Sequence, residues 1–237
     1  MTAASAVLIA GLITMTQSRG AAIDGPPLNC HGIASRILVP ESSLQLVTAI
    51  VPDHRATSAS LQAWERPPGG CFSRLGPPLA AFVGAGGTST AKREGDGTTP
   101  AGIFRLGARI FELGSPLPGA ERSQGIGCGS WWDEDPSSPT YNRFVQLACG
   151  AHPSFGGASE ALWLDTAPYQ HFVQVRYNAG PIVPGWGSAI FLHDGTGTPT
   201  AGCVSLPPGQ LELVLSWLDP GKRPLIAIGT RDDLQTS

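Results

Sequence analysis

The stretch "IFLHDGTGTPTAGCVSLP", residues 190–207, places a histidine and a cysteine at the two ends of a glycine- and threonine-rich segment. The apolar run that ends at His193 is typical of a buried strand, and Cys203 begins or immediately precedes a second apolar run. A loop between two such strands brings the side chains of His193 and Cys203 face to face. An imidazole beside a thiol either takes its proton or stabilises the thiolate as an ion pair, so the spacing is compatible with a nucleophile and its base. A buried structural cysteine and a loop histidine are the alternative.

Outward from this stretch, the composition favours short strands joined by turns. The 237 residues are 41% hydrophobic, enough to fill a core, and include 31 glycines and 22 prolines without a fixed period. The pattern predicts a mostly β fold, a single-domain sandwich or distorted barrel, with one appreciable helix after His193 and Cys203. Strands are expected within 43–52, 59–66, 78–87, 102–107, 161–168, 171–178 and 187–195, and the helix within 207–222; residues 114–143 are expected to be largely irregular.

Charge and the N-terminus indicate where the protein acts. The formal net charge is -3, only 14% of residues are charged, and the basic residues are scattered singly, which makes nucleic acid an unsuitable partner. Residues 1–25 are signal-like because "AVLIAGLITM" (6–15) has the length of a signal-peptide core, although no basic residue precedes it. A mistaken start codon or a buried N-terminal helix is the alternative. We expect a flexible region over 26–43, a single domain over 44–237 and export of the protein.

The cysteine count agrees with export. Four of the five cysteines lie in loop-like surroundings in which an oxidising compartment allows them to pair. Four cysteines allow three pairings, and the shorter loops favour Cys30 with Cys71 and Cys128 with Cys149. Cys203 is then the free thiol.

A second motif extends the pattern towards a known family. "GDGTTPAGIF" (95–104) precedes the His193 segment, and together the two motifs resemble the L,D-transpeptidase catalytic domain of bacterial cell-wall enzymes. The upstream Thr-Pro-x-Gly-x-Phe element of that family matches Thr99, Pro100, Gly102 and Phe104. "PTYN" (139–142) and "WLDP" (217–220) are similar to the extracellular, actinobacterial-type branch, so the resemblance covers residues 44–229.

The resemblance implies roles for individual residues. Cys203 would attack the carbonyl carbon of the third residue of a peptidoglycan tetrapeptide stem, expel D-alanine and form a thioester, with His193 as proton acceptor and donor. The backbone carbonyl of Asp194 would orient the imidazole, and the N–H groups of Gly202 and Cys203 would form the oxyanion hole. An amine of a second stem would then take the acyl group, giving the 3→3 cross-link that serves cell wall biogenesis and cell shape. Carbapenem-type β-lactams are the expected covalent inhibitors. The resemblance also implies that the domain over 44–237 is catalytic and that the exported protein is associated with the cell wall.

Two positions depart from the family signature. Ala201 stands where the family has a histidine, and Ser205 where it often has an arginine. These changes leave the nucleophile and the base in place and bear on substrate preference and rate. They also keep two alternatives open, an L,D-carboxypeptidase with water as acceptor and a non-catalytic wall-binding module.

Further residues are candidates for substrate contact. Trp131 and Trp132 offer aromatic faces to glycan or peptide, with Asp133 and Asp135 near the acceptor amine. Thr200 offers a hydroxyl in the catalytic loop, and Tyr177 lies at a strand end. Packing and turn formation are the alternatives for these residues. "CGAH" (149–152) has metal-ligand spacing but no second close pair, so we expect neither a metal nor a cofactor.

Overall fold

The computed structural model describes residues 30–118 and 122–236 of the chain. The signal-like segment lies outside these residues. Residues 30–43, part of the region expected to be flexible, bury Ala34 and Ile37 against Trp64. The elements are β1 (Gln45–Ile50), β2 (Ser58–Glu65), β3 (Ser73–Phe82), β4 (Thr88–Ser89), β5 (Thr99–Pro100), β6 (Gly102–Glu112), β7 (Ser123–Gly125), β8 (Ser130–Asp133), β9 (Arg143–Gln146), β10 (Glu160–Ala161), β11 (His171–Val175), β12 (Phe191–Asp194), β13 (Val204–Leu206), α1 (Pro208–Trp217), β14 (Leu225–Gly229) and α2 (Arg231–Thr236), with short 3-10 helices at Ile33–Ser35 and Pro220–Lys222.

The main sheet closes on itself. Its strands follow the order β11-β12-β13-β3-β2-β1-β14-β6, and β6 pairs in turn with β11. Most neighbours are antiparallel, whereas β1 with β14 and β12 with β13 are parallel. The mostly β, barrel-like fold expected from the sequence is confirmed.

Alternation along the strands sends side chains into different buried clusters, of which the described residues form three. On β12 and the residue before it, Ile190 and Leu192 enter an aliphatic core, whereas Phe191 enters an aromatic core with Phe172 of β11. Helix α1 begins at Pro208, buries Leu211, Val214 and Leu215 in the aliphatic core and ends before Pro220. This is the helix expected from the spacing of its leucines.

A second, smaller sheet of β10, β8 and β9 covers the aromatic core. Strand β8 lies within residues 114–143, which were expected to be largely irregular, and β9 begins at the end of that stretch. The strand expected at 161–168 is wrong, because the chain turns where the Leu164 N–H donates to the Ala161 carbonyl at 2.9 Å. Leu162 is fully buried and Leu164 is exposed, although a strand would place both on one face.

The disulfides join Cys30 to Cys71 and Cys128 to Cys149, the pairing favoured by the shorter loops. The second disulfide joins the segment before β8 to the segment after β9. Cys203 is the one free cysteine among the described residues. None of the helices in 30–118 and 122–236 is long and apolar enough to cross a membrane.

Candidate active site

His193 lies on β12 on the same face as Phe191, so its ring enters the aromatic core beside Tyr169, with ring centroids 6.3 Å apart. Its Nδ1 is 2.6 Å from the backbone carbonyl oxygen of Asp194. Because a carbonyl only accepts, Nδ1 carries the proton and Nε2 is left as the basic nitrogen. Burial lowers the pKa of His193. The ring is therefore neutral at neutral pH and able to act as a base.

The carboxyl group of Asp194 joins the strand that carries His193 to its neighbour. It is fully buried, and its Oδ2 accepts the backbone N–H of His171 on β11 at 2.8 Å. The His171 imidazole lies 3.5 Å from the same oxygen, and Glu212 of α1 lies 3.9 Å from that imidazole. Asp194 thus holds His193 through its carbonyl and β11 through its side chain. The family resemblance implied that the carbonyl orients His193, but no sequence pattern indicated that the side chain binds β11.

Cys203 immediately precedes β13, which runs parallel to β12 with Leu192 opposite Val204. This register places Cys203 beside Phe191, whose N–H donates to Sγ at 3.3 Å, and the thiol donates to the Ala189 carbonyl at 3.2 Å. Cys203 therefore packs on the same aromatic core that His193 enters. Burial raises the pKa of the Cys203 thiol, so at rest it is protonated.

Two threonine hydroxyl groups hydrogen-bond to the backbone of Cys203, at the end of the segment that joins it to His193. Thr200 donates to the Cys203 carbonyl at 2.7 Å, and Thr99 of the upstream motif donates to the same oxygen at 3.1 Å. The Gly202 N–H donates to Thr200 Oγ1 at 3.1 Å. The two sequence motifs thus meet at Cys203. The Gly202 N–H must break its hydrogen bond to Thr200 before it can donate to an oxyanion.

Gly202 occupies a conformation that other residues rarely adopt, with φ of 151°. A Cβ there would lie 3.0 Å from the Thr98 carbonyl oxygen and 3.3 Å from Lys92 Nζ. Lys92 is 3% exposed and forms an ion pair of 3.0 Å with Asp96. Sequence reasoning missed this buried cation, although "KRE" (92–94) directly precedes the upstream motif.

The aromatic candidates are only partly brought to the site. Trp132 is 2% exposed; its Nε1 donates to Asn142 and its ring packs edge-on against Phe191. Trp131, on the opposite face of β8, contacts Phe155 and Trp163. Of the two tryptophans, Trp132 thus packs on Phe191, the residue whose N–H donates to the Cys203 thiol.

The other candidates hold loops. The Tyr177 hydroxyl donates to the Trp186 carbonyl at 2.7 Å, and its ring packs edge-on against Phe104. Asp133 accepts from Thr140 at 2.6 Å and Asp135 accepts from the Gly156 N–H at 3.0 Å. Between these two aspartates lies Glu134, which, like Glu160, is near enough to Cys203 to raise the pKa of its thiol when ionised; sequence reasoning missed both residues. Strand alternation at "WWDED" is the signal that could have found Glu134.

Among the described residues, no group of three or more histidine, cysteine, aspartate or glutamate side chains is placed to hold a metal ion.

Comparison with known proteins agrees with this geometry. None of the curated proteins compared with the chain matches it. The YkuD family model, described as the L,D-transpeptidase catalytic domain, matches residues 74–226, which include the upstream motif, His193 and Cys203. The chain therefore belongs to the L,D-transpeptidase catalytic domain family, whose members are cysteine-dependent enzymes that act on peptidoglycan.

Proposed function

We propose that the protein is an exported L,D-transpeptidase that forms 3→3 cross-links between peptidoglycan stems, with residues 44–237 as its catalytic domain. The observation that carries the proposal is the fixed tautomer of His193. Its Nδ1 is held by the Asp194 carbonyl at 2.6 Å, and it shares the aromatic face with the Cys203 thiol. The two disulfides support export, because such bonds persist in oxidising compartments.

The charge states decide how the first step proceeds. A protonated thiol and a neutral imidazole favour general-base catalysis over a preformed ion pair. His193 takes the thiol proton as Sγ attacks the carbonyl carbon of the third stem residue. Collapse of the tetrahedral intermediate releases D-alanine, which leaves with that proton, and the thioester remains on Cys203. Backbone N–H groups at Gly202 and Cys203 would receive the oxyanion.

The proposal is tested with a disaccharide tetrapeptide as both donor and acceptor. The wild-type protein should release D-alanine and give a dimer whose fragmentation shows a link between two third residues. Cys203→Ser, which keeps the size of the side chain, should abolish both products because a hydroxyl is a far weaker nucleophile than a thiolate.

Other products distinguish the alternatives. Release of D-alanine with tripeptide and no dimer would make the protein an L,D-carboxypeptidase. Retention on purified sacculi with unchanged stems would make it a wall-binding module. Equal activity of wild type and Cys203→Ser would refute the thioester mechanism.

A further inference from the structure

Two carboxyl groups lie close to the nucleophile, and we call Glu134 and Glu160 the acidic pair. Glu134 directly follows β8 and Glu160 opens β10, where it lies opposite Trp132 in the antiparallel register. When ionised, both residues raise the pKa of the Cys203 thiol. The pair is thus built into the small sheet that covers the aromatic core.

Each carboxyl group of the acidic pair is hydrogen-bonded to a side chain near the site, Ser188 for Glu134 and Tyr169 for Glu160. Ser188 Oγ lies 3.4 Å from Glu134 Oε2, and the next residue, Ala189, provides the carbonyl that accepts the Cys203 thiol at 3.2 Å. On the other side, the Tyr169 hydroxyl donates to Glu160, and the Tyr169 ring lies beside His193. A ligand bound by the pair would therefore lie beside the reacting atoms.

The acidic pair lacks a positive partner. Glu134 is 8% exposed, and its Oε1 has no hydrogen-bond partner within the described parts of the chain. Neither carboxyl group forms an ion pair there, and the nearby Lys92 is engaged with Asp96. Glu94 and Asp133 add further negative charge around Glu134. Buried carboxyl groups without a cation are costly, so this arrangement is complementary to a cationic ligand.

We propose that the acidic pair binds the ammonium group of the acyl acceptor and takes a proton from it before it attacks the thioester. This inference rests on the proposed transpeptidase function and names the residues that select an amine over water. Asp133 and Asp135, the acids expected near the acceptor amine, hold their loop instead.

The titration of the pair fits this role. Burial, with repulsion from Glu160 and Glu94, raises the pKa of Glu134 to about 9, and burial also raises the pKa of Glu160. An arriving ammonium group lowers both pKa values, so that the carboxyl groups ionise as it binds. The site is then charged only when the cation is present.

The transfer step balances as follows. The ammonium group gives one proton to a carboxylate of the pair and becomes a neutral amine. Its lone pair forms the C–N bond at the thioester carbonyl, and collapse of the intermediate breaks the C–S bond. A second proton passes from nitrogen through His193 to the leaving Cys203 sulfur, which restores the thiol. The proton held by the pair returns to solvent.

The test compares two nucleophiles on the same acyl-enzyme. Glu134→Gln and Glu160→Gln keep side-chain size and remove the charge, and the exposed Glu41→Gln is the matched control. The acceptor is a stem tripeptide that carries a free side-chain ammonium, and hydroxylamine is the uncharged nucleophile. Product ratios are measured by mass spectrometry, and the pH dependence of Cys203 alkylation by iodoacetamide reports the thiol pKa in each variant.

Each pair variant should lower transfer to the tripeptide, relative to hydrolysis, by about tenfold, the usual effect of losing a charge-assisted hydrogen bond. The ratio of transfer to hydroxylamine over hydrolysis should not change, and the thiol pKa should decrease because an ionisable neighbouring carboxyl group is lost. Unchanged tripeptide transfer in either folded variant would overturn the inference and leave the proposed function intact. A wild-type thioester that only water cleaves would overturn both.

Discussion

Burial keeps the side chains proposed as nucleophile and base uncharged at rest, and this determines how they respond to pH. The pKa of His193 is lowered and that of the Cys203 thiol is raised, in both cases chiefly by burial. The charge states of these two residues could not be predicted from the sequence, because the apolar residues that bury them, such as Phe172 and Tyr169, are distant in the sequence. The sequence did indicate the two residues themselves and their spacing.

The pH profile of D-alanine release follows from these shifts. A base with a lowered pKa stays neutral to lower pH, so the rate should hold down to pH 6.5, the ordinary imidazole value, and fall only below it. Stopped assays across the acidic range measure this limb. A fall that is already half complete above pH 6.5 would contradict the neutral-base mechanism.

Substitution of Gly202 tests the backbone at the nucleophile. Gly202→Ala forces a Cβ towards the Thr98 carbonyl at positive φ, so we expect a loss of about 1–3 kcal/mol of unfolding free energy and most of the activity. Gly209→Ala is the control, because that glycine lies in the first turn of α1 with open space around it. The control should be neutral or stabilised by up to about 1 kcal/mol in urea unfolding. Equal stability of the two variants would refute the role given to Gly202.

At the level of elements, the sequence predicted what local pattern controls. The apolar alternation of β12 and the leucine spacing of α1 were sufficient to identify both. The sheet of β8, β9 and β10 was missed because hydrogen bonds, many of them within the same stretch, satisfy its buried polar groups. Asp133, at the end of β8, is fully buried and accepts hydrogen bonds from Ser138 and Thr140. A polar, proline-containing stretch therefore folds into a buried element.

Removal of this carboxylate should loosen the small sheet. Asp133→Ala leaves the hydroxyls of Ser138 and Thr140 without their acceptor, and hydrogen bonds to charged groups contribute about 1.5–3 kcal/mol each. We expect a loss of about 3 kcal/mol or more in urea unfolding. Asp165→Ala, at an exposed position, should change stability by less than about 0.5 kcal/mol. A similar small effect for Asp133→Ala would show that the loop is held by other contacts.

At the scale of the whole molecule, closure of the barrel depends on pairings that no local pattern encodes. Strand β14 near the C-terminus lies between β1 and β6, and β6 bends from β14 to β11. The disulfides span 41 and 21 residues and reinforce this architecture. Cysteine parity did indicate which thiol remains free.

Thiol counting tests this arrangement. With five cysteines and four of them bonded, the denatured, unreduced protein should contain one titratable thiol, and Cys203→Ala should contain none. Reduction should release all five and lower the unfolding free energy by about 2–4 kcal/mol per disulfide, because the unfolded chain gains freedom. A count of three in the unreduced protein would mean that one of the two bonds does not form.

The central claim is that Cys203 is the nucleophile that becomes acylated, and intact-mass spectrometry with a carbapenem tests it most directly. The wild-type protein should gain the mass of one carbapenem per chain, and folded Cys203→Ala should gain none. No adduct on wild-type protein with a free Cys203 thiol, or an adduct that persists in Cys203→Ala, would contradict the account.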